Sequence, residues 1–146
     1  MKTIILLFVI ATSLCECAAS KADSILLGAY TYHLRAIDRD LNQENEMIAI
    51  EYHGYIAGRM INSFYDETYF AGKRFVIANY GDFELATTVG IDRGYKSCKP
   101  GRRVPSDNDS VICPIVVPQI IYTKYQVQPS IGLFGNALTL HAEVKF

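Results

Sequence analysis

The last ten residues, Ala137 to Phe146, sort by parity. Leu138, Leu140, Ala142, Val144 and Phe146 form one set; Thr139, His141, Glu143 and Lys145 form the other. A two-residue period marks a strand with one apolar and one polar face. The pattern recurs upstream. Within Glu46 to His53, Met47, Ala49, Glu51 and His53 share a face against Ile48, Ile50 and Tyr52. From Phe83 to Asp92, Phe83, Leu85, Thr87, Val89 and Ile91 oppose Glu84, Ala86, Thr88, Gly90 and Asp92. Further strands are predicted at Ser24 to Leu34, Tyr55 to Ser63, Thr68 to Ile77, Ile112 to Ile121 and Gln126 to Leu133. In the Tyr55 strand, Arg59 assigns Tyr55, Ala57, Ile61 and Ser63 to the polar face, leaving Ile56, Met60 and Phe64 on the apolar one. Gln126, Gln128, Ser130 and Gly132 make the polar face of the Gln126 strand. Lys73 and Arg74 are adjacent, so one of them must break the pattern and lie outward, near a headgroup. His53-Gly54, Asn79 to Asp82 and Gly135-Asn136 carry turn chemistry.

The start of the chain decides which face is outside. Lys2, the apolar run Ile4 to Ala11 and the small residues Ala18, Ala19, Ser20 and Ala22 read as a secretory signal peptide over residues 1–22. Cys15 and Cys17 fit a lipoprotein cleavage site poorly. Residues 23–146 then form one domain of about 124 residues. No later run reaches the ~20 apolar residues of a spanning helix. A chain that spans lipid without helices must close its sheet, since only closure satisfies every backbone group there. The expected fold is all-β: an eight-stranded antiparallel transmembrane barrel of the bacterial outer membrane, apolar outside and polar inside. A near-zero net charge, −1, gives no reason to expect nucleic acid. The many tyrosines and phenylalanines suit either interfacial girdles or ordinary strand preference.

Connection lengths give the barrel a direction. The even-numbered links are all short, whereas the odd-numbered ones include Arg35 to Asn45 and Arg93 to Val111. Outer loops are long and periplasmic turns short, although the third link, Tyr65 to Glu67, is short as well. Odd strands therefore end at the outer rim, with His33, Asn62, Ser63, Asp92 and Arg93 there and Asp66 in the link beyond Ser63. A histidine beside a serine, with a third group to hold the ring, can activate a hydroxyl for acyl transfer; a solvated rim histidine is the plainer alternative. Inside, Glu51, Arg59, Glu84, His141, Glu143 and Lys145 are expected to form a polar floor. A hydrocarbon chain would then be confined to the upper half, beside Ala57, Ile61, Ala86 and Gly90. Cys98 and Cys113 should form a disulfide in an oxidising compartment. No histidine lies near them in sequence, so neither a metal site nor a cofactor is expected. Pro114, Pro118 and Pro129 remove ladder donors, which predicts a weak seam between the sixth and seventh strands.

Tyr30-Thr31-Tyr32-His33, Ile61-Asn62-Ser63-Phe64 followed by Ala71-Gly72, and Cys113-Pro114-Ile115-Val116-Val117-Pro118 resemble successive parts of the PagP family, the outer-membrane lipid A palmitoyltransferases. The similarity covers nearly the whole mature chain. It implies an eight-stranded barrel with a lipid-filled interior, a catalytic histidine at His33 and a catalytic serine at Ser63. It also implies lateral access for lipid at the proline gaps. The family's acidic residue before the serine is Asn62 here; Asp66 is a possible substitute. The family's leading amphipathic helix has no room in this chain. Arg93, Lys96, Lys99, Arg102 and Arg103 are candidate contacts to lipopolysaccharide phosphates, or a solvated loop balanced by Asp107 and Asp109.

Three readings stay open: a monomeric enzyme moving an acyl chain from phospholipid to lipid A, a non-catalytic barrel that binds lipid or lipopolysaccharide, and a structural or surface-interaction barrel.

Overall fold

The computed structural model describes residues 23–34, 40–98 and 110–146. They form eight strands: β1 (Ser24–His33), β2 (Ile48–Tyr52), β3 (Tyr55–Ile61), β4 (Glu67–Tyr80), β5 (Phe83–Arg93), β6 (Ile112–Tyr122), β7 (Val127–Phe134) and β8 (Ala137–Lys145). Each pairs antiparallel with its sequence neighbours, and β8 pairs with β1, so the sheet closes into a barrel. Closure gives every strand a neighbour on both sides. No helix occurs among the described residues. The expected signal peptide at 1–22 lies outside the described residues.

The parity of β8 and β5 is as the sequence predicts. Glu143 is buried while Leu138 and Leu140 are exposed, and Ala86, Thr88 and Asp92 are buried while Val89 and Ile91 are exposed. In β2, Ala49 and Glu51 face in and Ile48 and Ile50 face out. β1 loses its clean alternation at a bulge between Leu27 and Tyr30. Gly28 lies in the bulge at φ +67°, a left-handed backbone that favours glycine. Beyond it Thr31 faces in and Tyr32 faces out.

β3 faces the opposite way from the sequence reading. Ile56 is buried, and Met60 and Phe64 line the interior, whereas Tyr55, Ala57 and Arg59 are exposed. The hairpin decides this. A tight turn at His53-Gly54 pairs Tyr52 with Tyr55 and Glu51 with Ile56. Directly paired residues share a face, so once Glu51 is inside, Ile56 must be inside too. Arg59 instead meets Glu67 on the outer surface at 3.4 Å. Ala57 therefore does not line the lumen.

The charge that does enter is Arg74. β4 is longer than expected at both ends, and its turn shrinks to Gly81-Asp82. Lys73 takes the outer face, with Nζ 5.0 Å from the Tyr55 ring centroid and 5.5 Å from that of Phe75. Arg74 is fully buried at the centre of the lower lumen. Its Nη1 lies 2.7 Å from Glu51 Oε2 and donates to Glu143 Oε2 at 2.7 Å, while Nη2 donates to Glu143 Oε1 at 2.9 Å. The Gln119 carboxamide oxygen, placed by the hydrogen-bond network, accepts from Arg74 Nε at 2.8 Å and from Nη2 at 3.0 Å. Ser24 Oγ donates to Glu51 at 3.2 Å, and Lys145 Nζ lies 3.8 Å from Glu143. Two carboxylates thus share Arg74 and are further bonded by Ser24 and Lys145. The expected polar floor exists, centred on Arg74 rather than containing Arg59. Above it sits a small apolar core of Leu26, Ala49 and Ile56, with Met47 and Phe70 packed on it.

Removing one member of a buried ion group strands the others in a dry interior. Arg74→Ala is expected to lower the unfolding free energy by about 3–5 kcal/mol in reversible urea unfolding. Lys73→Gln, which loses two cation–π contacts at the surface, should cost about 1 kcal/mol or less.

Candidate functional site

The strand ends place the rim residues around one space. His33 is the last residue of β1, Ser63 lies in the turn after β3, and Asp92 is the second-to-last residue of β5. All three line a cavity of about 250 Å³ in the upper barrel. Its body is largely apolar, with Leu26, Met47, Ile56, Met60, Phe70 and Ile115. Gln119 and His141 line it toward the Arg74 cluster. None of the predicted acyl neighbours Ala57, Ile61, Ala86 and Gly90 lines it: Ala57 is on the outer face, and the lining apolar residues on β3 are Ile56 and Met60.

The polar groups do not form a ready triad. Ser63 lies next to the Tyr95 hydroxyl, and among the described residues no hydrogen bond joins it to His33. Among the described residues, His33 Nε2 and Asp92 Oδ1 are buried without a hydrogen-bond partner. Burial pushes the Tyr95 phenol well above its ordinary pKa, and the Asp92 carboxylate adds to the rise; the neighbouring Ser63 opposes it. Tyr95 is therefore a neutral hydroxyl at physiological pH.

Asn62 is committed to its own turn. Its Nδ2 donates to Thr68 Oγ1 at 3.0 Å and to the Gly94 carbonyl at 3.4 Å, and its Oδ1 accepts from the backbone N–H of Phe64 at 2.8 Å and of Asp66 at 3.1 Å. Both amide atoms are used in holding the β3–β4 link, which sets where Ser63 points. Asp66 is half-buried, bonds Asn62 through its main chain and lies off the cavity wall. The carboxylate on the wall is Asp92. The period-two count in β5 already faces it inward; Tyr95 sits in a loop, where no periodicity announces it.

Two gaps in the ladder have different fates. β2 is short, so the space between the upper parts of β1 and β3 has no regular strand. Residues 42–47 fill it. The N–H of Gly28 bonds the Met47 carbonyl at 2.8 Å, that of Thr31 bonds Gln43 at 2.8 Å, and that of Ile61 bonds Asn45 at 2.7 Å. Asn45 Nδ2 adds a bond to the Ile61 carbonyl at 2.8 Å, and Asn45 Oδ1 accepts from Thr31 Oγ1. The β6–β7 ladder, by contrast, holds three residue pairs: Gln119–Gly132, Ile120–Ile131 and Ile121–Ser130. The β5–β6 ladder next to it has eleven. Continuing the register upward would set Pro118 beside Leu133 and Val117 beside Phe134, and neither pair forms. Pro114, Val116, Val117 and Phe134, on either side of this gap, all line the cavity. The predicted seam is present in the backbone pairing, and Pro129, Pro118 and Pro114 all lie on exposed positions.

A disulfide joins Cys98 to Cys113, with their Cα atoms 5.2 Å apart. It ties the segment after β5 to the upper part of β6. Tyr95, three residues before Cys98, packs edge-on against Phe64 at 6.2 Å and stacks on Phe134 at 6.3 Å, bridging the lumen toward the gap. Of the basic residues expected in this loop, Arg93 is on the outer wall, where its Nε donates to Ser110 Oγ at 3.3 Å, and Lys96 is half-buried. Lys99, Arg102 and Arg103 lie outside the described residues.

Comparison with known protein families finds no matching family, and comparison with curated proteins finds no match.

Asn62→Asp restores the acidic residue of the resembled family but removes the Nδ2 donor and sets a carboxylate against the Gly94 carbonyl. It is expected to destabilise by about 1–3 kcal/mol, read as a lower urea midpoint with an unchanged m-value.

Proposed function

We propose that this chain is an outer-membrane barrel of the PagP type. It admits one acyl chain of a membrane lipid into its lumen through the β6–β7 gap, and its activity is acyl transfer from phospholipid to lipid A. The observation that carries the reading is an apolar cavity that reaches a broken ladder on the barrel wall. A cavity serving water-soluble ligands has no need of an opening between strands, whereas a hydrocarbon tail moving in from lipid does.

The exterior supports a membrane setting. Its exposed belt is aliphatic, with Ile50, Val89, Ile91, Val116, Ile120, Ile131 and Leu140. Exposed aromatics gather at the two ends. Tyr52, Tyr55, Tyr80, Phe83, Tyr125 and Phe146 lie at the turn end, and Tyr32, Tyr65 and Tyr69 lie at the rim with His33 and Ser63. Such girdles flank the apolar band of outer-membrane barrels. Both chain ends of the barrel lie at the turn end, the periplasmic side in this reading.

In the catalytic reading His33 takes the Ser63 proton as the hydroxyl attacks a phospholipid ester, and returns it to the leaving glycerol oxygen. A lipid A hydroxyl then takes the acyl group from Ser63 by the reverse steps. Asp92 faces the same cavity and can stabilise the imidazolium. A second reading, binding without transfer, is favoured by one observation: among the described residues Ser63 has no hydrogen bond to His33 and lies beside Tyr95 instead.

Mass spectrometry of lipid A from cells with and without the inserted protein separates them. Acyl transfer predicts an added acyl mass that falls at least about a hundredfold in His33→Ala and Ser63→Ala. Unchanged lipid A in cells carrying well-inserted wild-type barrel rejects the transferase and leaves the binder.

A further inference from the structure

The outward turn of β3 puts a feature on the barrel wall that the linear sequence hides. Arg59 pairs with Tyr69 across β3 and β4, and Tyr69 pairs with Arg93 across β4 and β5. All three side chains are exposed, so they stand side by side on the outer face. Direct cross-strand neighbours lie roughly 5 Å apart at Cβ, so the two guanidiniums flank one tyrosine within reach of a common anion. Ile48 and Ile112 bound the row at its two ends. Arg59 is the third-to-last residue of β3, Tyr69 the third of β4 and Arg93 the last of β5. The row therefore sits at the upper ends of its strands.

Among the described residues, Glu67 is the one carboxylate in this group. It lies 3.4 Å from Arg59 Nη1 and next to the Tyr69 hydroxyl. Arg93 has Ser110 as a side-chain partner. Two guanidiniums against one carboxylate leave the row with an excess positive charge.

The next row down has a different character. Ile50 pairs with Ala57, Ala57 with Ala71, and Ala71 with Ile91. All four are exposed. Two alanines between two isoleucines make a shallow apolar trough directly beneath Tyr69. Guanidiniums on an outer wall are costly at mid-membrane and favourable where they meet phosphate at the interface.

The geometry points to a second lipid site on this wall: Arg59 and Arg93 clamp the phosphate of an anionic membrane lipid, and one of its acyl chains lies in the Ala57–Ala71 trough. The site is separate from the β6–β7 gap and needs neither His33 nor Ser63. It rests on the membrane setting proposed above, though not on acyl transfer.

The test is native mass spectrometry of the mature barrel released from detergent with phosphatidylglycerol, lipid A or phosphatidylcholine, with inorganic phosphate as competitor. Arg59→Gln/Arg93→Gln should retain phosphatidylglycerol and lipid A about tenfold less than the parent, the order expected on losing charge-assisted hydrogen bonds. Phosphatidylcholine retention should hardly change. Glu67→Gln should bind the anionic lipids more tightly, an outcome a merely structural Arg59–Glu67 pair does not produce. Ala57→Phe/Ala71→Phe fills the trough and should weaken lipid retention with both arginines intact. Inorganic phosphate at millimolar concentration should compete poorly; strong competition would mean a free-anion site and overturn the lipid assignment. Equal retention of the anionic lipids by the parent and the double-glutamine variant overturns the site, whatever the lipid A masses show. Failure of the parent barrel to insert into vesicles overturns the membrane setting as well.

Discussion

Closure of the hydrogen-bonded ladder is the constraint on which this structure depends. Once β8 pairs with β1, every strand has a neighbour on both sides, and any opening has to be made by weakening a ladder locally. Proline does this in β6. Pro114 and Pro118 keep their pairing with β5, where Ile91 and Thr87 oppose them, but the upper half of β6 makes no pairs with β7. Where β2 is too short, asparagine side chains and the 42–47 backbone close the equivalent space. One gap is filled by polar groups and the other is lined by Val116, Val117 and Phe134, so the cavity and the unpaired stretch of ladder adjoin.

The lumen divides into two media. Below, Arg74 is held by Glu51, Glu143 and Gln119 in a buried polar network. Above, Leu26, Ile56 and Phe70 offer a surface with few polar demands. Buried polar groups are tolerated when they are fully bonded and costly when they are not. That physical boundary sets the depth of the cavity and puts its polar rim at His33, Ser63 and Asp92. Asn62 holds the link beneath Ser63, and Tyr95 meets Ser63 from the disulfide-tethered segment, so the serine's position depends on two elements far apart in sequence.

The outer wall follows the same alternation. A residue excluded from the lumen by register appears outside, which is how Arg59 joins Tyr69 and Arg93. The inner rim and the outer arginine row occupy the same end of the barrel, on opposite sides of the sheet.

Much of this was legible in the sequence by itself. Strand number, the faces of β2, β5 and β8, the short turns and the proline seam follow from a period of two and from proline's missing N–H, both local properties. The facing of β3 is legible too, because the two-residue turn at His53-Gly54 forces Ile56 to follow Glu51, a register constraint that outweighs the charge of Arg59. Tertiary structure alone decided which of Lys73 and Arg74 enters, since the choice depends on two carboxylates contributed by β2 and β8. It alone assigned Asn62 to its turn and brought Tyr95 to Ser63. Period and propensity act between near neighbours along the chain, whereas burying a charge or aiming a hydroxyl depends on partners that only the closed sheet brings within bonding distance.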